Sequence, residues 1–266
     1  MARHTHKPPR MTIIVPRGGA VQIAVVLDKS DSVGTIYYAG IRNAIQMAVQ
    51  LHPAIHGVPV KLNDAFDPPC LGDTAFAQNA AAASAVVANP QNVAVIGHLC
   101  SAPFGGTTVP GDPCPSPSNG SALSLYESAK ITVINGSTTS ACLATIGPTV
   151  FNATIISDPG SDDWAAQVSA LPADKLWQLA YRAKFGVAPT GFADLYFDAT
   201  RLLLARLEQT ARNVKGSLGI DRLALARAVR HTRHFPGVTC SIALDPATGF
   251  RIDDQAALAR CANPIH

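Results

Sequence analysis

Val21–Leu27 (VQIAVVL) is an apolar run broken only by Gln22, rich in β-branched residues and of strand length. Behind it Ile41, Ile45 and Val49 recur at intervals of four, which stacks them on one face of a helix over Tyr38–Leu51 that begins near Gly34. The alternation returns: Val58–Ala65 precedes an alanine-rich helix over Thr74–Ala88, Asn92–Gly97 precedes a helix over Ala122–Ala129, and a fourth strand follows at Ile131–Asn135. Strands that alternate with amphipathic helices lie parallel and are covered on both faces. The predicted fold class is therefore α/β, a doubly wound parallel sheet in a three-layer α/β/α arrangement. Gly, Pro and Ser crowd Ala102–Ser121, which reads as a surface loop between the third strand and its helix.

Past Phe151 the alternation stops. Asp158–Asp163 (DPGSDD) has the chemistry of a turn with a helix cap at Ser161 or Asp162, and a short helix is expected near Trp164–Ser169. Helical periodicity resumes over Ala173–Lys184 and halts at Gly186–Gly191. It then runs through Phe192–Thr210, where Leu195, Ala199, Leu203 and Leu207 form one stripe. Asp221–His231 is a further helix, Thr239–Leu244 a last strand, and Asp245–Gly249 (DPATG) a tight turn. No internal repeat is visible.

A chain of 266 residues, 47% of them hydrophobic, can fill a sizeable core. Its 21 basic and 18 acidic side chains nearly balance, which argues against a nucleic-acid partner. The longest apolar run, Ala80–Ala88, is interrupted by Ser84 and falls far short of the ~20 residues that span a bilayer. Residues 1–20 are basic and broken by Pro8, Pro9 and Pro16, so they read as a disordered segment. Met11–Val15 is too short for the apolar centre of an export signal. Six cysteines (Cys70, Cys100, Cys114, Cys142, Cys240, Cys261) without metal-ligand spacing point the other way, to disulfides in an oxidising compartment. A periplasmic or extracellular location follows from them, with a cytoplasmic protein carrying free thiols as the alternative.

Sites in open parallel sheets lie beyond the carboxyl ends of the strands. Asp28–Gly34, His98–Ala102 and Gly136–Ser140 leave strands in that way. His98 close to Cys100 could make a thiol nucleophile, but residues at a strand end alternate sides and no orienting acid is identifiable. His52 and His56 have helical zinc spacing, yet Pro53 ends the helix between them and no third ligand is evident. His231 and His234, beside Arg230 and Arg233, read as a solvated helix end. There is no Gly-x-Ser-x-Gly elbow, phosphate loop or dinucleotide fingerprint. Neither an enzyme nor a bound metal or cofactor is expected.

Four stretches, in order, resemble type I periplasmic solute-binding proteins, in particular the branched-chain amino acid binders of ABC transporters. They are Ile23–Leu27 with the helix from Gly34; Asn63–Pro68 (NDAFDP); Val95–Ser101 (VIGHLCS); and a C-terminal block. That block comprises Ala180–Gly186 (AYRAKFG), Tyr196–Leu203 (YFDATRLL), Phe235–Thr239 (FPGVT) and Leu244–Gly249 (LDPATG). The resemblance implies a binding protein for a branched-chain or related amino acid, partnered by a transporter permease, with dimerisation allowed. It places ligand contacts at Leu99, Cys100, Ser101, Ser137, Thr138 and Thr139: Ser101 on a carboxylate, Leu99 and Cys100 through backbone groups, Ser137 and Thr139 on carboxylate and ammonium. It also implies a bridge between Cys100, at the family's half-cystine, and Cys70; the other four cysteines stay unassigned.

The chain departs from the family at 151–176, where a second α/β lobe is expected and only a short bridge fits. The implied organisation is one lobe made from 21–150 and 177–266, with most of the second lobe missing. Two further readings stand beside it: a degenerate single-lobe regulatory or partner-binding module, and an α/β enzyme with a Cys/His site.

Overall fold

A computed structural model describes residues 12–105, 120–155, 157 and 174–252. Its centre is a six-stranded sheet of order β3-β4-β2-β5-β6-β7, formed by β2 (Val21–Val26), β3 (Ala54–Ile55), β4 (Val58–Phe66), β5 (Asn92–Gly97), β6 (Thr132–Asn135) and β7 (Phe151–Ala153). All pairings are parallel except the short β3 edge. The central strands β2 and β5 are almost wholly buried, as their unbroken apolar runs require.

Helices cover both faces. From β2 the chain passes through α1 (Ser32–Leu51) to β4 on one side, then through α2 (Ala75–Ala88) to β5 on the other. Right-handed crossovers in opposite directions put α1 and α2 on opposite faces. The α2 layer continues with α3 (Ser101–Gly105), α4 (Ala122–Ala129) and α5 (Leu143–Ile146). The α1 layer is completed from far along the chain by α7 (Ala193–Thr210), which packs along α1 and onto β5 and β6. Alongside lie α6 (Lys175–Phe185) and α8 (Arg222–Arg230). In α1 the inward face is Ile41, Ala44, Ile45 and Ala48, and Asp31 caps its start by accepting from the Val33 and Gly34 amides.

Several expectations are corrected. Thr12–Val15, assigned to a disordered segment, is β1, and it pairs antiparallel with β9 (Ser217–Asp221) beside β8 (Arg212–Val214). Phe151–Ala153 is not bridge but the sixth strand of the main sheet. The start of the expected 102–121 loop belongs to the helix Ser101–Gly105, and the last expected strand is the hairpin β10 (Phe235–Gly237) and β11 (Cys240–Ile242). The turn at 158–163, the helix at 164–169 and the body of the 151–176 bridge lie outside the described residues.

Buried charges fasten the C-terminal third. Asp198 on α7 accepts from Val238 N, Thr239 N and Thr239 Oγ1 at 2.8, 2.9 and 2.6 Å, which pins the β10–β11 hairpin. Arg230 is the exception in the helix end read as solvated: His231, Arg233 and His234 are exposed, but Arg230 is 5% exposed. Its guanidinium donates to the carbonyls of Phe151, Pro246 and Ala247. Carbonyls of two separate segments converge there, so the charge is hydrogen-bonded rather than hydrated.

Asp194, one turn before Asp198, has its carboxyl pushed up to about 6 by burial, with the Asp198 charge adding to the rise and Arg251 opposing it. A carboxyl raised above its ordinary 3.8 adds stability at low pH that disappears as pH rises through about 6. Asp194→Asn is therefore expected to be more stable than the parent at pH 7, by about 1 kcal/mol, and no more stable at pH 3.5. Urea unfolding of both proteins at the two pH values checks this; equal or lower stability of the variant at pH 7 contradicts it.

Candidate functional site

Strand order reverses between β2 and β5, whose exit loops turn to opposite faces and open a crevice at the carboxyl edge of the sheet. The β2 exit is rigid. Asp28, buried, accepts from Ser30 N, Asp31 N and Cys70 N at 2.8, 3.2 and 2.9 Å. Asp31 Oδ2 accepts from Cys70 N and Leu71 N, both at 2.8 Å. Burial pushes the Asp28 carboxyl up, while at Asp31 burial is outweighed by hydrogen bonds from Asp28 and from backbone amides, so its carboxyl falls. Asp28, Asp31 and Cys70 lie close enough to suggest a metal cluster. They do not offer one, because the Cys70 sulfur is bonded to Cys100 and the carboxylates are committed to backbone N–H groups.

The Cys70–Cys100 disulfide is present, with Cα atoms 5.5 Å apart, and ties the β4 exit to the β5 exit. Cys142 and Cys240 are also disulfide-bonded, while Cys114 and Cys261 lie outside the described residues. Gly97 is required where β5 ends: at φ 127° it lies so near β2 that a Cβ would stand 2.1 Å from Val26 O.

His98, the next residue, points into the core. Asn79 Nδ2 donates to Pro69 O and Ala75 O, so its Oδ1 must accept, and it lies 2.5 Å from His98 Nδ1. That puts the proton on Nδ1 and leaves Nε2 to accept from the Tyr126 hydroxyl at 3.1 Å. The ring stacks on Phe104 with centroids 4.5 Å apart, and burial pushes its pKa down to about 3. With Cys100 oxidised and His98 locked in the core, the Cys/His nucleophile does not form.

All six predicted contact residues come together at the adjacent β5 and β6 exits. Thr139 N donates to Ser101 Oγ at 3.1 Å, and Ser137 Oγ donates to Leu99 O at 2.6 Å and lies 2.9 Å from the Tyr196 hydroxyl. Asn135 organises the second loop: its Oδ1 accepts from Ser137 N and Thr138 N at 2.6 and 2.8 Å, and its Nδ2 donates to His98 O. Ser101, Ser137, Thr139 and Cys100 are half-buried, whereas Leu99 and Thr138 are buried. Thr138 Oγ1 is enclosed without a hydrogen-bond partner.

Sequence reasoning missed Asn135 and Tyr196. Asn135 ends the fourth predicted strand and Tyr196 sits in a helix, and neither position alone shows that its side chain crosses to a neighbouring loop. The zinc-like pair His52 and His56 does have a common partner, Glu208 on α7, with His52 Nε2 3.4 Å and His56 Nδ1 3.2 Å from its two oxygens. A residue so distant in sequence carries no local signal.

No family model and no curated protein matches the chain. Solved structures do. A leucine binding protein from Thermotoga maritima superposes with a TM-score of 0.64 at 16% identity, over 88% of this chain and 93% of that one. A branched-chain amino acid transporter substrate binding protein from Streptococcus pneumoniae, in complex with isoleucine, gives 0.62 at 14% identity, over 87% and 93%. A solute binding protein of an ABC transporter from Rhodopseudomonas palustris, in complex with 3,4-dihydroxybenzoic acid, gives 0.63 at 12% identity, over 88% and 91%.

Proposed function

We propose that this chain, which has the fold of the type I periplasmic binding proteins, is the solute-binding component of an ABC-type importer and takes a branched-chain or related amino acid. The observation that carries the reading is the convergence of Leu99, Cys100, Ser101, Ser137, Thr138 and Thr139 on one patch at the crevice edge. Hydroxyls and loop amides of this kind suit a zwitterion: Ser101 faces the carboxylate, with Ser137 and Thr139 between carboxylate and ammonium. Delivery to a permease, outside the cytoplasmic membrane, is part of the same reading. No helix among the described residues is long and apolar enough to cross a membrane.

The second lobe is, in this reading, essentially missing. Residues 156–173 are too few for a second α/β lobe, and the other sheets among the described residues are small and antiparallel. A ligand on a single lobe keeps one face in water, where each hydrogen bond competes with solvent. Monomer is therefore expected to bind leucine, isoleucine or valine no tighter than about 100 μM. Titration calorimetry on verified monomer tests this, with Ser101→Ala expected to weaken binding further.

One observation favours a second reading, a degenerate lobe that binds a partner rather than a solute: Ser137 already donates its hydroxyl to Leu99 O, and Ser101 Oγ already accepts from Thr139 N. Absence of any heat with amino acids at several millimolar would select it. A micromolar constant abolished by Ser101→Ala would reject it, along with the open-faced site.

A further inference from the structure

At the end of the sheet opposite the β5 and β6 exits, three turns close around a cleft of about 550 Å³. They connect β1 to β2, β3 to β4, and β8 to β9. The volume falls within the range of roughly 300–1,000 Å³ typical of small-molecule pockets. Two of the three turns depend on the β1-β9-β8 sheet, whose strands give little sign of themselves in sequence.

The lining has a definite chemical sense. Its floor is apolar, made by the buried Val15, Ala211 and Leu218. Its rim carries Arg17 and His56 on two different turns, with Asn213 and Ser217 on the third side. Asn213 Oδ1 accepts from Gly216 N at 3.0 Å, which leaves the amide NH2 as the group it can offer a ligand. Glu208 stands behind His56, 3.2 Å from Nδ1, and orients the ring without lining the cleft. No carboxylate is among the described lining residues, and Arg17 presents a fixed positive charge to the cleft.

We infer that this cleft is a second ligand site, for a small organic anion with an apolar body, its carboxylate against Arg17 and His56 and its hydrocarbon part over Val15, Ala211 and Leu218. A guanidinium recognises a carboxylate by paired hydrogen bonds, and the apolar floor selects against inorganic anions, which would leave it wet. The site is remote from Ser101 and Thr139, so it stands whether or not the solute-binding reading does.

Benzoate is the probe, titrated into full-length protein and followed by calorimetry and by NMR shifts. Saturable binding is expected at about 1 mM or tighter. It should weaken at least fivefold in Arg17→Glu, where an exposed turn residue is changed and folding is spared, and remain unchanged in Ser101→Ala. Benzamidine, the same ring with a positive head, should not compete. The inference is overturned if benzoate shows no saturation up to about 20 mM, if Arg17→Glu binds as well as the parent, or if the binding is lost in Ser101→Ala instead.

Discussion

Replacing Cys70 and Cys100 together by serine is expected to lower the unfolding free energy by about 3–4 kcal/mol. The two residues are separated by 30 positions, so the bridge closes a loop containing all of α2, and its loss returns that loop's freedom to the unfolded chain. The native state loses as well, because the bridge holds the Cys70 amide where Asp28 and Asp31 accept from it. Urea unfolding under non-reducing conditions, with far-ultraviolet circular dichroism, measures the difference. A change below about 1 kcal/mol would mean that the loop is fixed without the bridge.

His98 is expected to make the fold acid-sensitive. Its folded pKa lies at about 3, below the ordinary 6.5, so the stability of the neutral, buried ring is fully present above pH 6.5. That stability is lost progressively as pH falls from 6.5 towards 3, at a limit of about 1.4 kcal/mol per unit, or on the order of 5 kcal/mol in all. Two measurements check it. The His98 ring should show no NMR titration in the folded protein above pH 4, and His98→Asn should flatten the fall in stability between pH 6.5 and 4. A native-state titration near pH 6 would show that the imidazole reaches water and that the Asn79 and Tyr126 bonds do not hold.

The parallel sheet and its helices were legible because burial on both faces writes itself into sequence as unbroken runs such as Val21–Val26, and one-sided burial as the four-residue spacing of Ile41 and Ile45. The same logic explains the misses. In β8 every residue is exposed, and β1 alternates so weakly that its partner β9 supplies what definition it has. The grouping of the β5 and β6 exits followed from resemblance, and the Cys70–Cys100 bridge from resemblance together with the expectation that its two loops leave neighbouring strands at one edge, although β2 lies between β4 and β5. The hydrogen bonds that define those exits did not follow, because Asn135, Tyr196 and His98 reach across the sheet to residues far away in sequence. Arg230 was misread for the same reason: a charged residue at a helix end is normally solvated, and only the assembled fold reveals the carbonyls around it.

The pairing of β1 with β9 and of α1 with α7 also governs how the chain is made. Thr12–Val15 leaves the ribosome long before its partner Leu218–Asp221, which lies some 200 residues on, and the Ala44 and Ala48 side of α1 waits for α7. Until then Ala44 and Ala48, which cluster with Phe197 of α7 and with Trp177 and Tyr181 of α6, have no such cover. Contacts so distant in sequence fold slowly, and exposed apolar faces associate while they wait. Fragments ending before α7 (Ala193–Thr210) are therefore expected to be recovered as aggregates rather than as a smaller folded core.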